Sequence, residues 1–186
     1  MHSLSNYFYN KSSFWVVLIS LALFVLFMFL VLPPQAERSA QVTGTNTSPD
    51  TSFYYNREQL YQMAEDYGQD GRYYYVDSRI TFDIVWPLVY TMFLLNAISW
   101  ILNKTIVEGS ALRLLNLVPI TSFLFDILEN IANMVVMFRY PTPTDWLASI
   151  AGIFTTVKWI SLGASFLILI FGAVLWIGVR TNIIKT

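Results

Sequence analysis

Pro119–Phe138 reads PITSFLFDILENIANMVVMF, a stretch apolar enough for a bilayer that nonetheless carries Asp126, Glu129, Asn130 and Asn133. Their spacing of i, i+3, i+4 and i+7 predicts one polar face on a helix, with Leu124, Ile127, Leu128, Ile131 and Val135 on the rest. An ionisable group at the centre of a bilayer costs about 2.5–3.5 kcal/mol on insertion scales, so this face is expected to meet protein or enclosed water. The rest of the chain is read as its shelter.

The bulk composition agrees with a membrane setting. Only 12% of the 186 residues are charged and the mean hydropathy is +0.52, against about 25% charged residues in soluble domains. A net charge of -1 gives no basic face for nucleic acid. Cysteine is absent and His2 is the single histidine, which removes thiolate and histidine metal sites, haem ligation and a Ser-His-Asp triad. No cofactor and no metal are expected.

Four apolar blocks are long enough to cross about 30 Å of hydrocarbon at 1.5 Å per residue. The first, 14–32, is FWVVLISLALFVLFMFLVL and is expected to stop at Pro33 and Pro34. A second follows at 80–102, with Asp83, Pro87, Tyr90 and Asn96 in it. The third is 114–138 and the fourth 146–179, the latter holding Lys158. The predicted fold is therefore all-α: an integral membrane four-helix bundle, with residues 1–13, 103–113 and 180–186 on one side of the membrane. Residues 33–79 and the proline turn 139–145 fall on the other. Lys11, Lys104, Arg113, Arg180 and Lys185 flank the spans on the first side, so the positive-inside rule predicts cytoplasmic termini and a long outer first loop. Asn46-Thr-Ser would then be an exposed glycosylation triplet.

Within that loop, Ser39–Ser52 has turn formers and no apolar period, and is expected to be a flexible linker. Asn56 then opens an amphipathic helix at about 57–67, with Gln59 completing a capping box, Leu60, Met63, Ala64 and Tyr67 on one face, and Gly68 as the stop. Because tyrosines crowd the region from Tyr54 to Tyr75, this short helix is expected to lie in the membrane interface as part of an aromatic belt.

Counting depth from the outer ends puts Glu129 about 13 Å, Tyr90 about 15 Å, and both Asp126 and Lys158 about 18 Å into the membrane. Level opposite charges offset much of each other's burial cost, so Asp126 is expected to pair with Lys158, and Tyr90 to donate to Glu129. Glu129 is then the group expected to exchange a proton or bind a cation. Asp83, nearer the surface, lies within reach of Arg79 or Arg139, and Arg72 is a candidate for contact with a lipid head.

The run AEDYGQDGRYYY at 64–75, D-x-x-x-P-L-x-Y at Asp83–Tyr90 and FDILEN at Phe125–Asn130 together resemble a motif set of bacterial four-span membrane proteins. The resemblance implies the same four-span fold and carries no assigned activity. Vitamin K epoxide reductases and claudins also have four spans and a large first loop, but both need cysteines that this chain lacks.

Three functional readings follow. In the plainest, the network of Asp126, Glu129, Asn130, Asn133, Lys158 and Tyr90 fixes helix register in an interaction or accessory subunit of a membrane assembly. Its partners would be the lipid bilayer and other membrane subunits or further copies of the chain. In the second, Glu129 serves a proton- or ion-linked channel or transporter component. A third, an intramembrane lipid-modifying enzyme with Glu129 as base and Arg72 on an anionic lipid, has less support because no catalytic motif accompanies it.

Overall fold

The computed structural model describes residues 2–181; Met1 and residues 182–186, Lys185 among them, lie outside that range. The described residues are mostly helical, with no strand among them. In chain order the helices are α1 (His2–Lys11), α2 (Phe14–Leu26), α3 (Leu32–Thr43), α4 (Arg57–Asp66), α5 (Gly68–Ile80), α6 (Phe82–Thr105), α7 (Val118–Arg139) and α8 (Asp145–Arg180). A π-helical turn, Phe27–Val31, joins α2 to α3. Tighter 3₁₀ turns occupy Pro49–Thr51 and Ala111–Leu117. Four helical stretches are long and apolar enough to cross a membrane: Phe14–Thr43, Phe82–Thr105, Ala111–Arg139 and Asp145–Arg180. By length and composition these four stretches fit a helical membrane protein. The most apolar window of α6 is 61% buried, against 6%, 22% and 11% in the other three stretches, so α6 is the most enclosed span.

The first span departs from expectation at Pro33 and Pro34. The helix runs on to Thr43 and stops at Gly44, whose φ of +71° is the left-handed conformation that suits glycine. The prolines directly follow the π-helical turn, where the hydrogen-bond ladder has slipped by one residue, Leu32 N–H donating to the Phe27 carbonyl, so the helix passes them at a point where its regular bonding is already interrupted. Part of the expected linker is thus helix, and what remains as loop is 44–56.

Two compact units emerge from the packing, and each of the four long stretches contributes to both. One comprises the residues up to Val25, Val89–Ser122 and the residues from Ile160 onward. Here α1, expected only as an amino-terminal tail, is tied down by Asn116: Ser5 Oγ donates to Asn116 Oδ1 at 2.8 Å, and Asn116 Nδ2 donates to Ser99 Oγ at 3.0 Å. Tyr9 donates to the Arg113 carbonyl at 2.7 Å while the Arg113 guanidinium sits 3.9 Å over its ring. Phe24 stacks on Phe93 at 5.0 Å.

The second unit comprises Leu26–Leu88 and Phe123–Trp159. Helix α4 begins as its sequence dictates: Asn56 accepts from the Gln59 N–H at 2.8 Å and Gln59 accepts from the Asn56 N–H at 2.9 Å. Its apolar face is covered by protein. Leu60, Met63 and Ala64 share a core with Tyr55, Tyr67 and Tyr75, with Ala132, Val136 and Met137 of α7, and with Ala148 and Ala151 of α8. Gly68, at φ +61°, ends α4 but also starts α5, a helix that a glycine stop gives no reason to expect.

Candidate functional site

The second unit gathers the buried charges. Glu129 on α7 is wholly buried, and its Oε2 lies 2.5 Å from Lys158 Nζ on α8. The expected partner, Asp126, is also buried and acts on the same ammonium electrostatically. One lysine therefore stands before two carboxylates of the same α7 face. Asn133, one turn beyond Glu129, donates to Glu129 Oε1 at 3.5 Å.

The phenol at this pair is Tyr55 from loop 44–56, a residue that helical spacing and depth do not assign to the site. Its hydroxyl lies 2.9 Å from Asn133 Oδ1, 3.4 Å from Glu129 Oε1 and 3.1 Å from Thr155 Oγ1. With one proton to donate, Tyr55 gives its shorter bond to Asn133 and leaves Glu129 as the longer alternative. Tyr90, the phenol expected there, has its hydroxyl 3.4 Å from Ser122 Oγ in the other unit.

A second charged centre is built on Arg79, at the end of α5. Its guanidinium is bidentate to Asp50: Nη1 meets Oδ1, and Nη2 meets Oδ2 at 2.7 Å. The same Nη2 lies 3.0 Å from Asp83 Oδ2, one turn further along the chain at the start of α6. Nη1 also donates to Asn130 Oδ1 at 2.9 Å, and the guanidinium carbon stands 4.1 Å over the Tyr75 ring. Asn130 links this centre to α7, since its Nδ2 donates to Asp126 Oδ1 at 3.1 Å and to the Asp83 carbonyl at 3.2 Å. Burial opposes ionisation of Asp50, but the Arg79 guanidinium and then the Lys158 ammonium outweigh it and hold the carboxyl below its usual range.

Four carboxylates, Asp50, Asp83, Asp126 and Glu129, thus share two cations, Arg79 and Lys158. Among the described residues no group of three or more His, Cys, Asp or Glu is arranged to hold a metal ion. Of the other residues singled out in the sequence, Arg139 is tied to Thr144 Oγ1 at 3.1 Å on the exposed turn. Arg72 donates to the Ala64 carbonyl at 2.7 Å and lies 4.6 Å over the Tyr140 ring.

Loop 44–56 is held against α8 by backbone as well as side chains. Trp159 Nε1 donates to the Ser52 carbonyl at 2.9 Å and Thr156 Oγ1 to the Phe53 carbonyl at 3.2 Å. Beside the Arg79 centre, a partly open cavity of about 370 Å³ lies against α3, the start of this loop and the α5–α6 junction. Asp50, Arg79 and Asp83 are the charged residues of its lining, which also includes Leu32, Phe82 and Trp86 and polar side chains such as Thr43, Asn46 and Ser48.

Searches against protein-family models, curated proteins and solved structures find no match to this chain.

Proposed function

We propose that this chain is an interaction or accessory subunit of a membrane assembly, in which the buried charges lock an outer tyrosine-rich cap onto the spans. The proposed topology is four crossings, both termini in the cytoplasm, and the first loop, with α4 and α5, outside. One observation carries the reading. Tyr55 comes from the loop, yet its hydroxyl ends among Glu129, Asn133 and Thr155 of α7 and α8. A buried polar network of this kind specifies how elements dock, which is its best-attested use. The cap would then present a fixed outer surface to a neighbouring subunit. Purification from native membranes after crosslinking tests this: a partner at fixed stoichiometry, lost on Tyr55→Ala but kept on Tyr54→Ala, is the expected result. A chain that purifies as a lone monomer from gentle detergent would overturn it.

A second reading, a proton- or ion-linked channel or transporter component, is favoured by the excess of carboxylates over cations around Arg79 and Lys158. Uncompensated negative charge inside a membrane is satisfied by bound protons or a passing cation. Proton or cation flux into proteoliposomes that disappears in Glu129→Gln supports it. Flux absent from the wild type removes it.

A further inference from the structure

The cavity beside Arg79 is unused by either reading. Its lining carries two carboxyl groups and one guanidinium, and the side chains of Asp50 and Asp83 keep 28% and 17% exposure, while that of Glu129 keeps none. The lining therefore carries one more acidic group than basic.

The walls define the rest of the ligand. Phe82 and Trp86 supply aromatic surface, which attracts an organic ammonium through its π-face. On α3 the small residues Ala36, Ser39 and Ala40 line the cavity beside Leu32, Gln35 and Thr43. About 370 Å³ falls within the range of small-molecule pockets, which are mostly apolar with a few placed polar groups. A hard metal cation would need a shell of oxygen ligands, whereas much of this cavity is apolar wall.

We infer that this cavity binds a small organic ammonium compound with an aromatic or apolar body. The ammonium lies against Asp83 and Asp50, and the body against Phe82 and Trp86. The inference holds under either proposed function, since it uses none of the Glu129–Lys158 pair.

The test is calorimetric titration of the purified full chain in detergent with 2-amino-1-phenylethanol at pH 7, where the amine is charged. Saturable one-site binding is expected, about tenfold or more tighter than for the neutral 1-phenylethanol. Ala40→Leu, which fills the α3 wall without touching the charges, is expected to weaken binding about tenfold while leaving the unfolding midpoint little changed. Asp83→Asn is expected to weaken the amine and not the alcohol; should it fail to fold, Ala40→Leu decides. Equal binding of the neutral alcohol, binding indifferent to Ala40→Leu, or no saturable binding of the amine would each overturn the assignment.

Discussion

The carbonyl of Tyr55 lies where a side chain on Gly152 would begin: a β-carbon at 152 would stand 1.9 Å from Tyr55 O and 3.0 Å from its carbonyl carbon. The loop that delivers the Tyr55 phenol into the unit is thus laid directly on the backbone of α8. Glycine inside a helix ordinarily costs about 1 kcal/mol relative to alanine, so its presence here is explained by the approach it permits.

Gly152→Ala is therefore expected to destabilise, against the helix-propensity trend. The clash is with backbone, which has no rotamer to move into, and overpacking of this kind costs about 1–3 kcal/mol or more. A lowered unfolding midpoint, together with new protease cleavage within 44–56, is the expected outcome. Gly163→Ala, where a β-carbon meets nothing within 4 Å, is the control and should be neutral or stabilising. An intact loop in Gly152→Ala would remove the close approach from the account.

Tyr55→Phe keeps the ring and deletes the hydroxyl that serves Asn133 and Thr155. Leaving buried groups unsatisfied costs about 1–3 kcal/mol, so the variant should unfold earlier than wild type. Thr155→Val alone should cost less, because the Tyr55 hydroxyl still reaches Asn133. Comparison of the two unfolding midpoints in the same detergent checks the order, and a Thr155→Val loss equal to that of Tyr55→Phe would contradict it.

These contacts also mark what the sequence can and cannot disclose. The spans are legible because each is a long apolar run, and the Asp126–Asn133 face because its spacing is helical and local. Asn56 and Gln59 declare the start of α4 for the same reason. Asp50 and Tyr55 carry no such signal: they sit in a loop without period, and their partners are 29 residues away at Arg79 and 78 at Asn133. Pro33 and Pro34 mislead because a proline pair ordinarily stops a helix from within, and only the π-helical turn before them lets this one continue. Depth counting sets Lys158 level with Asp126, yet Glu129 is less than one turn away and it is Glu129 that the ammonium contacts, with Asp126 acting on it electrostatically.

Lys158→Met and Glu129→Gln should differ in size. Removing the lysine leaves buried Glu129 without its ion-pair partner and Asp126 without the neighbouring ammonium, and breaking a buried pair this way costs about 3–5 kcal/mol. Removing the Glu129 charge leaves Lys158 with Asp126 still near, so the loss should be smaller. The double variant Glu129→Gln/Lys158→Met should be more stable than Lys158→Met alone. Unfolding midpoints of the three chains give the coupling directly, and additive losses would mean that the 2.5 Å contact contributes nothing specific.

Acid should release the Asp50 clasp only at low pH. Asp50 lies on the loop, and its carboxyl is held below the ordinary range by Arg79 and Lys158 against the effect of burial. A carboxyl with a depressed folded value contributes stability that is complete above the unfolded value, about 3.9, and is lost as pH falls through the lower folded value. Protease susceptibility of 44–56 should therefore be flat from pH 7 to about 4 and rise only below the ordinary aspartate value. Asp50→Asn removes the charge at every pH: its loop should be cleaved faster at pH 7, and the acid-dependent rise should shrink. A wild-type loop that loosens between pH 7 and 5 would show that a group other than Asp50 controls the clasp.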